Sequence, residues 1–326
     1  MIQKTDYNIN HLGSFEQEWL LHKGCQDWWY ATGYFTAEDG HRFSYQFTIL
    51  NLFVGPLNLL AAMLALTDFG NERHRYRQQV SFTKKGLIVD ENTIAIEGLA
   101  QAVREPGGLH VITHHRDFTL DLHLDYGKGA FWHADDGRLQ MGTSGDNATT
   151  YYYSYPNMPT TGTMILEGKE YHVTGKSWFD KQGGKFRLTA EETKWEWFSL
   201  RFYDDEEIML FKFPKTTFQD GTFISRDGRR ERLNEYTLTT TRFVEAGGSK
   251  YAAGWDLVMP GRKEEHYTIT PVMDGCINLS YFEELCSVRN EAGEEVGMCF
   301  TELFPHIYDD YVDRAAAAAL LKNVEY

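Results

Sequence analysis

The sequence is short of cysteine. Cys25, Cys276, Cys286 and Cys299 are the four cysteines of 326 residues, and no two of them stand in a CxxC spacing. A chain of this length can bury a large core and does not depend on a disulfide framework. We therefore expect all four to be reduced thiols.

Positive charge is also scarce. Lysine and arginine total 32 against 47 aspartates and glutamates, which gives a net charge of -15. Nucleic-acid binding requires clustered positive charge, and the basic segments HRYR and RDGRRER are short, so nucleic acid is not an expected partner. The sequence also lacks GxxxxGK and GxGxxG loops, an HExxH motif and a GxSxG nucleophile elbow. We expect neither a cofactor nor a metal.

The histidines of the segment HVITHHRDFTLDLHLDY do not change that expectation. His110 and His114 fall on one face of a predicted strand, but four residues along a strand separate two side chains too far for joint metal ligation. The segment itself has the clearest alternation in the chain, with an apolar residue at every second position from Phe118. This pattern is typical of a strand with one buried face.

Long apolar runs are missing as well. The longest, LNLLAAMLAL from Leu57, is too short to span a bilayer, and its periodicity does not distinguish a buried strand from a short helix. The N-terminal segment MIQKTDYNIN lacks the basic region and apolar run of a secretory signal. We expect a cytoplasmic protein without an integral membrane segment.

Aromatic residues and two-residue alternation are abundant, whereas helical periodicity is nearly absent. Aromatic residues make up 15% of the chain, which favours strands over helices. The alternation predicts an all-β fold with two consecutive domains, residues 1–213 and 214–326. The AEDG segment predicts a hairpin turn at Asp39 and Gly40. The tail DRAAAAALLKN predicts a short C-terminal helix from Asp313 that is too short to be stable alone. We expect it to pack on a barrel or on the partner chain of a homodimer.

The stretch from Tyr171 to Tyr203 is the most informative. It reads YHVTGKSWFDKQGG, then a polar connection, then WEWFSLRFY, and both arms alternate as strands of a predicted hairpin. Trp178 and Asp180 share a face of the first arm, and Trp195 and Trp197 share a face of the second. Tryptophans beside a carboxylate favour an amphipathic ligand cavity.

A second interpretation is that these tryptophans cover another hydrophobic core. Asp180 would then only begin a turn at residues 181–184, because Asp before a Gly pair is a common turn signature.

Several motifs resemble the carotenoid 1,2-hydratase and AttH-like superfamily. They are TGKSWFDKQGG with WEWFSLRF, DWWYATGYFTAEDGHRFSYQFTIL, ALTD, TTYYYSYPNMPTTGTMILEG, YFEE and GMCFTELF, in that family's order. The resemblance implies two lipocalin-like β-domains and enzymes of diverse activity, which include hydration and pericyclic cyclisation. Many members have an acidic residue and a Trp where this chain has Gln182 and Gly183, which leaves Asp180 as the matching acid.

These observations favour a cofactor-independent hydratase or dehydratase, a lyase acting on a carbon–carbon double bond. Its substrate would be a hydrophobic isoprenoid, a prenylated phenol or a related secondary metabolite. The alternatives are a pericyclic cyclase of a polyketide-type substrate and a non-catalytic carrier of hydrophobic small molecules.

Asp180 is the predicted proton donor, because burial among aromatic rings favours a neutral carboxylic acid. If Lys176 pairs with Asp180, the carboxylate is instead a base suited to elimination or isomerisation. The candidate catalytic residues are Asp180, Tyr76 and Glu302, and the candidate substrate-binding residues are Trp29, Tyr152, Trp178, Gln182, Trp195 and Trp197.

Overall fold

Nearly all of the chain forms antiparallel β-strands in two units. The structure, a computed structural model, describes residues 1–54, 56–142, 148–188, 190–246, 248–262, 264–279, 281–304, 307–308, 318 and 321–326, with the side chains of Val54 and Tyr281 left out. The first unit comprises Met1–Leu188 and Leu320–Tyr326, and the second comprises Thr189–Ala319. The second unit is therefore inserted into the first.

The first unit has one short helix and sixteen strands among its described residues. They are β1 (Lys4–Thr5), α1 (Phe15–Trp19), β2 (Leu21–His22), β3 (Gln26–Ala37), β4 (Arg42–Val54), β5 (Leu57–Asp68), β6 (Arg73–Ser81), β7 (Leu87–Val89), β8 (Thr93–Ile96), β9 (Ala100–Glu105), β10 (Gly108–His114), β11 (Phe118–Asp125), β12 (Phe131–Trp132), β13 (Arg138–Gln140), β14 (Thr149–Leu166), β15 (Lys169–Lys185) and a final strand near the C-terminus.

The second unit has twelve strands among its described residues and a 3-10 turn at Glu191–Thr193. The strands are β16 (Glu196–Phe202), β17 (Glu207–Lys212), β18 (Gln219–Ile224), β19 (Arg230–Arg232), β20 (Thr237–Thr240), β21 (Phe243–Ala246), β22 (Ser249–Ala252), β23 (Trp255–Val258), β24 (His266–Pro271), β25 (Ile277–Asn278), β26 (Tyr281–Asn290) and β27 (Glu295–Leu303). The strand that returns to the first unit is β28 (Val324–Glu325).

One large sheet organises each unit. In the first unit the described strands run in the order β28-β6-β5-β4-β3-β15-β14-β11-β10-β9-β8-β7, with β12 and β13 also paired to β14. In the second unit the order is β19-β18-β17-β16-β27-β26-β24-β23-β20, with β25 paired to β26. The two-stranded sheets β1-β2 and β21-β22 accompany them.

The residue patterns explain these elements. Strand β11 buries every second side chain from Phe118, as its alternation predicts. The predicted turn joins β3 to β4, and Gly40 there has a φ of +86°, which glycine adopts without strain. The undecided run from Leu57 is strand β5, and it is continuously apolar because its residues from Leu59 to Asp68 are buried on both faces of the sheet.

The predicted hairpin between the two arms of the Tyr171–Tyr203 stretch is wrong. Strand β15 pairs with β14 and β3, whereas β16 pairs with β17 and β27 in the other sheet. The polar connection between them passes from one unit to the next. Alternation identified both strands, but it carries no information about which strand each one pairs with.

The second interpretation required a turn at residues 181–184, and the structure contradicts that turn, because β15 continues to Lys185. A Cβ on Gly184 would lie 2.4 Å from the carbonyl oxygen of Thr149, so the glycine allows close approach of β14. Asp180 therefore lies within a long strand, with its side chain on the same face as Trp178 and Gln182.

The division of the chain differs from the sequence-based one. The units divide at residues 188/189, which assigns β16 and β17 to the second unit, whereas the sequence suggested a boundary at 213/214. The predicted C-terminal helix falls almost wholly outside the described residues. Among the described residues, no helix is long and apolar enough to cross a membrane.

Candidate active site

Asp180 is buried in the first unit and receives hydrogen bonds from neighbouring side chains. Tyr152 Oη donates to Oδ2 over 2.9 Å, Trp178 Nε1 donates to Oδ1 over 2.5 Å, and the hydroxyl of Ser154 lies in very short hydrogen-bond contact with Oδ1. The residue is 3% exposed. A carboxyl group at this depth needs such partners, because an unpaired buried polar group is costly.

Strand register brings these groups together. Ser154 on β14 lies directly opposite Asp180 on β15, and Tyr152 lies opposite Gln182. Trp178 and Asp180 are two residues apart and share a face. Gln182 Nε2 extends the polar row by donating to Thr150 Oγ1 over 2.7 Å.

His133 completes the cluster, although nothing in the sequence analysis identified it. It follows β12, which pairs with β14, and its backbone N–H donates to the carbonyl oxygen of Tyr152. His133 Nε2 lies 2.6 Å from Ser154 Oγ, and its ring packs on Tyr152 with centroids 4.1 Å apart. His133 and Ser154 are both 0% exposed.

The cluster can transfer a proton. Ser154 has one hydroxyl hydrogen and two partners, Asp180 and His133. In one arrangement Ser154 donates to an ionised Asp180 and accepts from His133 Nε2. In the other, a protonated Asp180 donates to Ser154, which donates to His133. Moving two protons converts one arrangement into the other without displacing a heavy atom.

The sheet face around Asp180 is unusually polar for a buried surface. Its neighbours across β3 and β4 are Tyr30 and Thr48, and both are 3% exposed. Thr32 lies opposite Trp178, and its buried Oγ1 has no hydrogen-bond partner among the residues that the structure describes. Buried hydroxyls are normally paired, so Thr32 Oγ1 is a candidate ligand contact.

Trp29 and Asp180 lie on opposite faces of the sheet. Trp29 lies opposite Lys181, belongs to the apolar core, and donates from Nε1 to the carbonyl oxygen of Trp19 over 2.9 Å. Lys181 Nζ forms an ion pair with Asp27 Oδ1 over 2.6 Å. Trp29 thus packs against a buried charge network and not against the Asp180 cluster.

That charge network lies against Gly183. His22 contacts Asp27 through Nδ1 and Glu18 through Nε2, both at 2.7 Å. Burial lowers the pKa of His22, but Asp27 and Glu18 outweigh burial and raise it above its ordinary value. A Cβ on Gly183 would lie 2.1 Å from Asp27 Oδ1 and 2.7 Å from His22 Nδ1. The network occupies the space that a side chain would need.

Tyr76 lies on the same sheet face as Asp180 but far along it. It is on β6, in the row of residues that reaches Trp178 across β5, β4 and β3. Four strand spacings amount to about 19 Å along the sheet. The Tyr76 hydroxyl is buried and donates to Gln78 Oε1 over 2.9 Å.

Trp195, Trp197 and Glu302 belong to the second unit, and there they form a group of their own. Trp195 Nε1 donates to Glu302 Oε1 over 2.8 Å, and Trp197 lies opposite Glu302 in the sheet. Glu302 also lies opposite Glu283 on β26. Burial raises the pKa of Glu302, and hydrogen bonds from Trp195 and Glu283 partly offset that rise.

Comparisons with known proteins agree with the fold. An AttH homologue from Nitrosomonas europaea is 19% identical, with a TM-score of 0.81 over 93% of this chain and 99% of that one. Kievitone hydratase from Nectria haematococca is 16% identical, with a TM-score of 0.69 over 85% of this chain and 88% of that one. These likenesses confirm the predicted all-β class with lipocalin-like units.

Sequence comparison assigns the family. No curated protein sequence matches the chain significantly. The family model described as AttH-like matches residues 9–305, which is most of the chain and includes every candidate site residue named above. The chain therefore belongs to the AttH-like family.

Proposed function

We propose that this protein is a cofactor-independent hydratase or dehydratase that adds water to, or removes it from, a carbon–carbon double bond of a hydrophobic substrate. The observation that carries the proposal is the buried Asp180, linked through Ser154 to His133. The name of a structural neighbour, kievitone hydratase, supports the same reaction type. An isoprenoid or a prenylated phenol is the proposed substrate class.

Asp180 supplies the proton in the hydration direction. Its protonated carboxyl group transfers a proton to one alkene carbon, and the π electrons form the new C–H bond. The other carbon becomes a cation, which the aromatic rings of Trp178 and Tyr152 next to Asp180 stabilise. Water then adds to the cation, and the proton it releases passes to His133 and returns through Ser154 to Asp180. The sum is alkene plus water giving an alcohol.

The relay gives Ser154 and His133 distinct roles. Ser154 passes the proton between Asp180 and His133, so Asp180 is reprotonated without bulk water entering the buried site. Tyr152 holds the second carboxyl oxygen and fixes the direction of proton transfer. Thr32 Oγ1, which has no partner among the described residues, is the proposed contact for the attacking water or the product hydroxyl.

The remaining candidates have secondary roles in this proposal. Tyr76 orients groups at the far end of the same sheet face. Gln182 supports Tyr152, which lies directly opposite it on β14. Glu302 remains a candidate acid or base, and Trp195 and Trp197 remain candidate ligand contacts, within the second unit's own group.

Isotope labelling tests the proposal. The protein is incubated with a prenylated phenol and, separately, with a carotenoid precursor in heavy-oxygen water. We expect labelled oxygen in the product. Asp180→Asn should lower turnover by about 10²–10⁴-fold because the proton donor is lost. Ser154→Ala should lower it less and should change its pH profile, because only the relay is cut.

Glu170→Gln is the matched control, since Glu170 lies on the same strand with an exposed side chain. It should leave turnover unchanged. If the product forms without labelled oxygen and Asp180→Asn does not change turnover, the reaction is pericyclic closure and not hydration. Binding of both compounds without any product would make the protein a carrier.

A further inference from the structure

A second cluster of ionisable side chains lies on β9, β10 and β11, outside the Asp180 site. His110 on β10 and His123 on β11 are direct cross-strand partners, and their rings stack with centroids 4.3 Å apart and planes 13° apart. Glu105, at the end of β9, faces both rings. Its Oε1 lies 3.7 Å from His110 Nδ1, and its Oε2 lies 3.6 Å from His123 Nδ1.

Asp121 fixes the orientation of one ring. His110 Nε2 lies 2.7 Å from Asp121 Oδ1. A neutral imidazole that donates its Nε2–H to this carboxylate carries its lone pair on Nδ1, the atom that faces Glu105. A carboxylate that holds one ring nitrogen while the other binds the ion is the usual support for a metal-ligating histidine.

We propose that His110, His123 and Glu105 form a binding site for a divalent transition-metal ion of the Zn²⁺ type, with Asp121 as a positioning residue. The candidate ligand atoms all lie within 4.8 Å of one another. Tetrahedral zinc with bonds of about 2.0–2.1 Å places its ligand atoms about 3.4 Å apart. Each of the two N···O separations exceeds that spacing by a few tenths of an ångström, and they involve different oxygens of Glu105, so binding requires the carboxylate to rotate until one oxygen faces both rings.

Side-chain mobility supplies the remaining adjustment. A metal lies in the plane of each imidazole that binds it, so the stacked rings must tilt toward a common point. The His123 side chain is 56% exposed and the Glu105 side chain 43% exposed, which leaves both able to rotate. His110 is 22% exposed and stays held by Asp121. Three protein ligands leave one position for water or a further ligand.

Ligand chemistry selects the class of ion. Two imidazoles and one carboxylate suit Zn²⁺, Cu²⁺, Ni²⁺ or Co²⁺, whereas Mg²⁺ and Ca²⁺ prefer oxygen ligands throughout. The rival arrangement is a proton-sharing ion pair, in which imidazolium rings bind Glu105 and Asp121. The binding test below separates that arrangement from a metal site.

The site is independent of the proposed hydration chemistry, and its test measures binding. Chelator-treated protein is titrated with Zn²⁺ at pH 7.5 by calorimetry, and Co²⁺ is added separately to record its visible absorption bands. We expect one equivalent of Zn²⁺ bound and a tetrahedral-type Co²⁺ spectrum.

Four variants decide the outcome. His123→Gln and Glu105→Gln should each abolish the single tight equivalent, and Asp121→Asn should weaken it by about 10–100-fold. His114→Gln is the control, because His114 is an exposed histidine on the same strand as His110. It should leave Zn²⁺ binding unchanged. No tight equivalent in the wild type, or equal losses in His114→Gln and His123→Gln, would overturn the site.

Discussion

Glu284 gives the sharpest pH-dependent prediction. It lies on β26 opposite Thr301 and is 1% exposed. Its Oε1 accepts from the backbone N–H of Gly275 over 3.2 Å, while Oε2 has no hydrogen-bond partner among the described residues. Burial, reinforced by the nearby charge of Asp274, raises the pKa of Glu284 from 4.5 to about 8.

Because the pKa of Glu284 is raised in the folded state, ionisation of this group destabilises the fold. A carboxyl group with a raised pKa favours the folded state fully below pH 4.5, and the contribution is lost as pH rises toward 8. Each pH unit in that window lowers the unfolding free energy by about 1.4 kcal/mol. Relative to Glu284→Gln, which cannot ionise, the wild type should lose about 2.5 kcal/mol of unfolding free energy between pH 5 and pH 7.

Urea denaturation of both proteins at pH 5, 6, 7, 8 and 9 measures the difference, followed through the transition of the second unit. Glu291→Gln serves as control, since Glu291 is exposed in a turn. The difference in unfolding free energy between Glu291→Gln and the wild type should stay small and constant. A Glu284→Gln difference that is also constant from pH 5 to pH 9 would refute the reasoning.

Two further predictions concern packing and thiol chemistry. Gly183→Ala should lower stability by about 1–3 kcal/mol in thermal unfolding, because the new methyl group meets Asp27 and His22. Gly107→Ala, where a Cβ would have no atom within 4 Å, should change it far less, and equal effects would contradict the packing argument. Native protein should not react with a thiol reagent at pH 8, because all four cysteines are buried and burial raises the pKa of Cys25 and of Cys299 to about 12. Denatured protein should show four reactive thiols, and rapid labelling before denaturation would disprove the burial.

Local pattern was sufficient to predict the strands and the face on which Asp180 lies. Alternation is a property of each segment, so the sequence could place Trp178 and Asp180 together and give β11 its buried face. It could not pair β15 with β14, because pairing depends on contacts between distant segments. Once that pairing is known, Ser154 becomes the cross-strand partner of Asp180.

Residues outside long strands were harder to place. His133 reaches the site through β12, a strand of two residues that carries no detectable period. The sequence places His110 near His114 on one strand, whereas the cross-strand partner of His110 is His123. Trp29 shows the same limit, since alternation does not tell which of two buried faces a tryptophan shares with a distant residue, and the register places Trp29 opposite Lys181.

The return of the chain to β6 affects how the first unit is made. Backbone hydrogen bonds join Tyr76 and Tyr326 in both directions, and Gln78 Nε2 donates to the carbonyl oxygen of Lys322, 244 residues later. During synthesis, β6 therefore stands as an open sheet edge until the whole second unit has been translated. Its sequence, RHRYRQQVS, carries three arginines. Charged edge strands resist pairing with other chains, so β6 is protected from aggregation while its last neighbour is still being made.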